Sequence, residues 1–334
     1  MKVSINKTFF FIILIIFSFL FVVFLSTIGS VKISFTEALN VLMGNINSTN
    51  EKLYFNLRLP RVILALIIGA GLALSGEGLQ LTLKNPLADP YIIGISAGAS
   101  FGAVLSLILN QSFRVSINME LSAFIFSLIS TFLVYFIAKR GGKASVTSLI
   151  LSGVIISFLF NALVTLLVTF AWKNILTIHF WALGSLASAN WTDVLKILPA
   201  VILEYIIFAL LKRKMLILSS GEEHAISLGI KPERLKFIIF FTVSFVCSLM
   251  VSSAGIIGFV GLIIPHTVRL AVRIDKKIEL PTVAIIGGVF LIICDTIART
   301  AARPAEIPLG AITALIGAPF FIILLKRKNA GGYE

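Results

Sequence analysis

The chain has 334 residues, 58% of them hydrophobic and only 13% charged, with 28 Lys and Arg against 15 Asp and Glu for a net charge of +13. Soluble domains carry roughly 45–50% apolar and 25% charged residues, so an ordinary water-soluble enzyme or binding module is excluded. The basic balance alone would suit nucleic acid, but the cations fall in short segments between long apolar runs.

Those runs recur along nearly the whole length at about 18–20 residues, the extent a helix needs to cross a bilayer. They predict an all-α polytopic membrane protein, a single transmembrane domain over 1–334 with about ten helices, near 9–28, 61–83, 92–110, 120–138, 146–170, 194–211, 235–254, 257–273, 281–299 and 308–325. Alternating these spans from an inside N-terminus puts Lys139, Arg140, Lys143, Lys212, Arg213, Lys214, Lys231, Arg234, Lys236, Lys326, Arg327 and Lys328 on the cytoplasmic side, with both termini. That asymmetry follows the positive-inside rule, so the basic charge reads as topology and no nucleic-acid partner is expected. The first span follows Lys2 and Lys7 as a signal peptide would. Its apolar stretch from Phe9 to Leu25 is longer than such a segment needs and no A-x-A site follows, so it reads as a retained span.

Between the first two spans, Ser34 and Glu37 form a capping-box signature that predicts a short helix over 34–43, and 44–50 reads as polar loop. Arg58-Leu-Pro-Arg61 opens the second span, its cations either snorkelling to head groups or docking an acidic partner. Gly69, Gly71, Ser75, Gly76 and Gly78, then Gly94, Gly98 and Gly102, allow close helix packing in lipid. Between them, Asn85-Pro-Leu-Ala-Asp89-Pro90 predicts a rigid, non-helical turn. Lys139 to Lys143 is a plain cytoplasmic turn. Trp172, Trp181 and Trp191 read as an interfacial aromatic belt, with ligand contact as the alternative.

The loop over 219–232 stands out. Ser220 and Glu223 repeat the capping-box signature, Glu222 and Glu223 suit a positive helix end, Gly229 offers a left-handed stop and Pro232 prevents simple continuation. The result is a predicted helix of roughly eight residues, about 12 Å long. It carries Ala225, Ile226 and Leu228 and looks built to dock with something; an ordinary structured loop is the alternative. Further on, Gly255, Gly258 and Gly261 with Pro265 interrupt the chain, and Asp295 and Arg299 can pair at i, i+4. Pro304 and Pro308 enclose Glu306 in a turn, and the Ala, Gly and Pro at 317–319 kink or loosen the last span. Cys247 and Cys294 fall in spans and read as buried thiols, not a disulfide. Glu77 and Glu204 also fall in spans, where ionisable groups are costly, and read as a proton relay or as buried, hydrogen-bonded acids.

No phosphate-cradling loop is present: Gly141-Gly142-Lys143-Ala144 lacks the spacing and the hydroxyl. His179, His224 and His266 are scattered, with no metal-ligand spacing, and no nucleophile–base pair stands out. Uphill movement would therefore draw on an ion gradient or on another chain.

Taken together, Arg58-Leu-Pro-Arg61, Ser75-Gly76 with Gln80, Asn85 to Pro90, Gly94 to Ala99, Gly221-Glu222-Glu223, Ala225 to Gly229, Gly258 to Leu262, Pro265-His266 with Arg269, Asp295 with Ala298-Arg299, Glu306 to Pro308, Gly310 and Gly317 to Phe320 carry a resemblance. The chain resembles the permease subunits of ABC importers for iron–siderophore, haem and cobalamin. The resemblance implies a type II ABC importer permease fold in a bacterial cytoplasmic membrane, and a dimer with a second copy or a close paralogue. It implies two cytoplasmic ATPase subunits, which hold ATP and Mg while this chain binds no cofactor or metal and is no enzyme. An extracytoplasmic substrate-binding protein would deliver the cargo. Ser220, Gly221, Glu222, Glu223, Ala225, Leu228 and Gly229 match the ATPase-coupling helix, and Arg58, Arg61 and Arg299 match arginines that meet glutamates of the binding protein. Two positions depart from the pattern: Glu77 stands where a small or apolar residue is usual, and Lys84 where Arg is frequent. The rival reading is an ion-coupled secondary transporter using Glu77 and Glu204.

Overall fold

The computed structural model describes residues 7–29, 33–46, 48–113, 115–170, 175–271, 276 and 278–330. In chain order the helices are α1 (Lys7–Thr27), α2 (Phe35–Leu42), α3 (Thr49–Leu53), α4 (Leu59–Thr82), α5 (Ile95–Phe113), α6 (Met119–Ala138), α7 (Val146–Phe170), α8 (Ile175–Ala182), α9 (Trp191–Ser220), α10 (Glu222–Ser227), α11 (Pro232–Ala254), α12 (Val260–Ala271), α13 (Glu279–Thr300) and α14 (Leu309–Ala330). A π-helical turn over Tyr54–Arg58 joins α3 to α4. Among the described residues the only strands are β1 (Lys139–Arg140) and β2 (Lys143–Ala144), an antiparallel hairpin with Lys139 opposite Ala144.

Among the described residues, seven helical stretches are long and apolar enough to cross a bilayer: Thr49–Leu83, Ile95–Ser112, Met119–Ala138, Val146–Thr169, Trp191–Ser220, Pro232–Ala254 and Glu279–Thr300. The chain is a helical, multi-pass membrane protein. Two further apolar segments among the described residues, Ile15–Thr27 and Leu309–Ile322, belong to α1 and α14, which have 21 and 22 residues. α12, expected as a full span, has 12 residues. At 1.5 Å per residue that described part is about 18 Å long, and residues 272–275 after it lie outside the described residues.

Contacts divide the chain into two compact units, residues 1–73, 186–198 and 258–334 in the first, and 74–185 and 199–257 in the second. In the first unit the expected capping box forms at α2: the Ser34 hydroxyl accepts from the Glu37 amide at 3.2 Å and the Ser34 amide donates to the Glu37 carboxylate at 2.7 Å. The polar stretch after it is not all loop. Ser48 and Glu51 make a second capping box that opens α3. Ile33, Ala38, Val41 and Tyr54 form a small core there, and the Tyr54 hydroxyl meets the Ser26 hydroxyl at 2.6 Å. α4 and α13 touch backbone to backbone. A Cβ on Gly69 would stand 2.3 Å from the carbonyl oxygen of Gly287, so only glycine fits.

In the second unit α5 packs along α6 by the same device. A Cβ on Gly102 would fall 2.3 Å from the Ser122 carbonyl oxygen, while the Ser122 hydroxyl donates to the Gly102 carbonyl at 2.7 Å. Serine thus replaces the missing side chain with a hydrogen bond, which suits a lipid environment. The turn before α5 is capped at both Asx residues: Asn85 accepts from the Leu87 amide at 2.9 Å and Asp89 from the Tyr91 amide at 2.8 Å. One turn of 3₁₀-helix, Pro90–Ile93, then ends at Gly94 with φ +86°. Cys247 and Cys294 are buried free thiols, as expected. α14 runs helical through Pro319.

Candidate functional site

The first group of predicted site residues lies in the second unit. α9 does not stop where a capping box at Ser220 would require. Met215 and Leu218 are fully buried and carry the helix on to Ser220, so the Ser219 and Ser220 hydroxyls turn back to the Leu216 carbonyl at 2.7 and 3.3 Å. The expected Ser220–Glu223 box is therefore corrected: Gly221 caps α10 without a side-chain bond, and the helix has six residues, not eight. Its other end is as expected. Gly229 takes φ +75°, its amide donates to the Ile226 carbonyl at 2.9 Å, and the Ile230 amide donates to the Ala225 carbonyl at 3.0 Å. This is a Schellman stop, which relies on a residue without a Cβ in the left-handed region.

A helix this short has no independent stability and must be held from outside. The anchor is Lys236, which sequence reasoning treated as one cytoplasmic cation among many. Its side chain is 3% exposed and its Nζ reaches Glu222 Oε1 at 2.7 Å, Glu233 Oε1 at 2.9 Å and the Ala144 carbonyl oxygen at 3.3 Å. Glu233 in turn accepts the Ala144 amide at 2.8 Å. One ammonium thus ties α10, the first turn of α11 and the β1–β2 hairpin. Its hydrogen bond holds the Glu222 carboxyl below the ordinary value. Ala225 is fully buried under α10, whereas Ile226 and Leu228 are 59% and 56% exposed. Glu223 and His224 are exposed beside them. The helix is fixed on its inner side and presents two aliphatic side chains outward.

The second group lies in the first unit. Arg61 donates from Nε to Asp295 Oδ1 at 2.9 Å and from Nη1 and Nη2 to the two oxygens of Glu306 at 3.0 and 2.9 Å. The predicted Asp295–Arg299 pair is present at 3.4 Å, and Arg299 also donates to the Leu25 carbonyl at 2.9 Å. Arg58 donates to the Thr27 carbonyl at 2.8 Å. The turn between Pro304 and Pro308 positions Glu306, pinned by the Ile307 amide on the Ala298 carbonyl at 3.0 Å. Arg58, Arg61, Arg299 and Arg303 line one cavity of about 660 Å³ together with Glu306. Arg61 pairs with Asp295 and Glu306, and Arg299 with Asp295; four guanidinium groups against these two carboxylates leave the cavity with surplus positive charge. Asp295, 1% exposed, is the hub, and only its i, i+4 partner could be read from spacing.

Glu77 and Glu204 are both buried, at 1% and 0% exposure. The Ser75 hydroxyl donates to Glu204 Oε1 at 2.5 Å and lies 3.3 Å from the Cys247 sulfur. Trp191 is not merely interfacial: its Nε1 donates to the Phe55 carbonyl at 3.0 Å and its ring packs on Phe55. Trp181 sits in α8. Trp172 lies outside the described residues.

The model of the FecCD transport family matches residues 11–327, almost the whole chain. The chain belongs to the FecCD transport family. It is 41% identical over 288 residues to the cobalamin import system permease protein of Halobacterium salinarum, covering 86% of this chain and 77% of that relative. It is 34% identical to the iron(3+)-hydroxamate import system permease protein of Bacillus subtilis, covering 98% of this chain and all of that protein. A solved inward-facing structure assigned to a metal-chelate type ABC transporter superposes with a TM-score of 0.82 at 33% identity, covering 94% of this chain and 97% of that one. In this FecCD chain α10 and the arginine-lined cavity are the two places where the predicted site residues gather.

Proposed function

We propose that this chain is the permease subunit of a binding-protein-dependent ABC importer carrying an iron(III)-siderophore or a related metal chelate, with haem and cobalamin as the other cargoes. The observation that carries the reading is α10, a six-residue helix anchored from within by Lys236 and Ala225 and exposing Ile226 and Leu228. In a family of transporters, such a knob is fit to transmit force from another chain. The chain does no covalent chemistry; a pair of cytoplasmic ATPase subunits hydrolyses ATP with Mg and moves α10. The ion-coupled reading is not favoured, since Glu204 is held by Ser75 in a packed core.

The rest of the assembly follows. Two permease subunits, identical or paralogous, enclose the pathway in a bacterial cytoplasmic membrane, each with ten spans and both termini inside. Arg58, Arg61 and Arg299 receive acidic side chains of an extracytoplasmic binding protein, in keeping with the cavity's surplus positive charge. Backbone-to-backbone contacts such as Gly69 on Gly287 suit small rigid-body shifts between inward and outward states.

The deciding experiment is isolation of the tagged chain from its own membranes in mild detergent, with ATPase activity measured on the eluate. A Walker-A subunit should co-purify and be lost, without loss of the folded permease, in I226D/L228D. A permease that keeps its ATPase in that variant would remove α10 from the interface. Adding the cognate binding protein with ferric siderophore, haem, cobalamin or an oxyanion then identifies the cargo by which one stimulates hydrolysis.

A further inference from the structure

A second cavity, away from the exposed face of α10, has a composition that transport by itself does not call for. It holds about 450 Å³ and is lined by Leu211 and Lys214 of α9, Gly229, Ile230 and Lys231 of the connection, and Arg234, Leu235 and Ile238 of α11. No acidic residue lines it. Lys214, Lys231 and Arg234 are exposed, and their side chains make no ion pair or hydrogen bond with the described residues.

The layering of this cavity follows from helix geometry. α9 has 30 residues, about 45 Å at 1.5 Å each, so it outruns a hydrocarbon core of about 30 Å. Lys214 sits one turn nearer the emerging end than Leu211. Lys231 is the N-cap of α11, and Arg234, Leu235 and Ile238 on the helix follow it at the i+3, i+4 and i+7 spacing of one helix face. Along that face Lys231 and Arg234 come first and Leu235 and Ile238 lie deeper. Three cations therefore form an outer ring over an aliphatic floor, at the level where two spans leave the lipid.

We infer that this cavity binds an anionic phospholipid, with its phosphate among Lys214, Lys231 and Arg234 and an acyl chain along Leu211, Leu235 and Ile238. Basic pockets between transmembrane helices take anionic head groups in this way. The aliphatic floor selects a lipid over a soluble anion. The inference needs only the membrane placement of α9 and α11 and does not depend on cargo or on the ATPase.

The test is native mass spectrometry of the full chain in detergent, titrated with dioleoyl-phosphatidylglycerol or dioleoyl-phosphatidylcholine. The wild-type chain should retain one phosphatidylglycerol that phosphatidylcholine does not displace. Each cation near an anionic phosphate contributes about 1 kcal/mol. K214Q or K231Q alone should then weaken binding about fivefold, and K214Q/K231Q/R234Q about a hundredfold, since 1.4 kcal/mol is tenfold. The hairpin variant K139Q/K143Q should bind as wild type. Equal binding of the two lipids, or an equal loss in the hairpin variant, would reduce the site to general surface charge. Displacement by millimolar inorganic phosphate would make it an anion site without a lipid. Unchanged lipid binding with loss of the ATPase subunit would make the three cations a protein contact instead.

Discussion

Lys236 is the residue whose removal tests the reading of α10 most directly. Lys236→Met keeps the aliphatic stem in its buried channel and deletes only the ammonium. Glu222 and Glu233 have side chains 44% and 29% exposed, so each ion pair is screened and contributes about 0.2–1 kcal/mol. The bond to the Ala144 carbonyl is charge-assisted and buried, worth about 1.5–3 kcal/mol. Relief from burying an ammonium offsets part of this sum, leaving about 2 kcal/mol, or about thirtyfold in a local opening equilibrium. The loss is local, because the three partners belong to a hairpin, a six-residue helix and a helix start. Hydrogen-exchange mass spectrometry of peptides covering 219–231 and 139–145 should show both losing protection together while α5 and α6 keep theirs. Unchanged protection at 222–228 in a folded K236M protein would refute the argument that this ammonium holds α10.

Other outcomes follow from the same geometry. Asp295→Asn removes the shared partner of Arg61 and Arg299 at a 1% exposed site, and should destabilise the folded chain by about 3–5 kcal/mol in detergent unfolding. Gly69→Ala must displace the Gly287 backbone and should cost about 1–3 kcal/mol. Gly258→Ala, with nothing within 4 Å of its Cβ, should stay within about 0.5 kcal/mol. The Glu222 carboxyl titrates below its ordinary 4.5 because Lys236 donates to it, so its share of the stability of α10 is present above that pH and lost as pH falls through the lower folded value. Protection of 222–228, corrected for intrinsic exchange, should be flat from neutral pH down to about 5 and decline below the ordinary carboxylate range.

Much of the fold was legible because the signals are local. Apolar runs marked the spans, Ser34 with Glu37 marked a real capping box, and Gly229 marked a real helix stop. The same S-x-x-E signature failed at Ser220, where Met215 and Leu218, packed elsewhere in the unit, prolong α9 past the expected cap. It was overlooked at Ser48, where polar neighbours suggested loop although the box is formed. α12 was expected as a span from its apolar content, and the described helix, Val260–Ala271, covers 12 residues of it, with 272–275 outside the described residues. The clusters were largely hidden. Arg61 and Asp295 are 234 positions apart, and Lys236 and Ala144 are 92 apart. Composition and spacing along one helix carry no information on such pairs. Only Asp295 with Arg299, one turn apart on α13, could be read directly.

The fork of Arg61 has a consequence for whatever approaches it. Both of its terminal nitrogens are already taken by the carboxylate of Glu306, whose side chain is 42% exposed. An incoming carboxylate cannot simply add to this site; it substitutes for Glu306. The Coulomb gain of the new pair is set against the loss of a like one, so the exchange is close to neutral in energy. What changes is the Glu306 side chain, tethered before the exchange and released after it, while the Ile307 amide on the Ala298 carbonyl still holds the turn. At Arg61, then, arrival of an acidic ligand would be written less in affinity than in the freedom of one carboxylate ahead of α14.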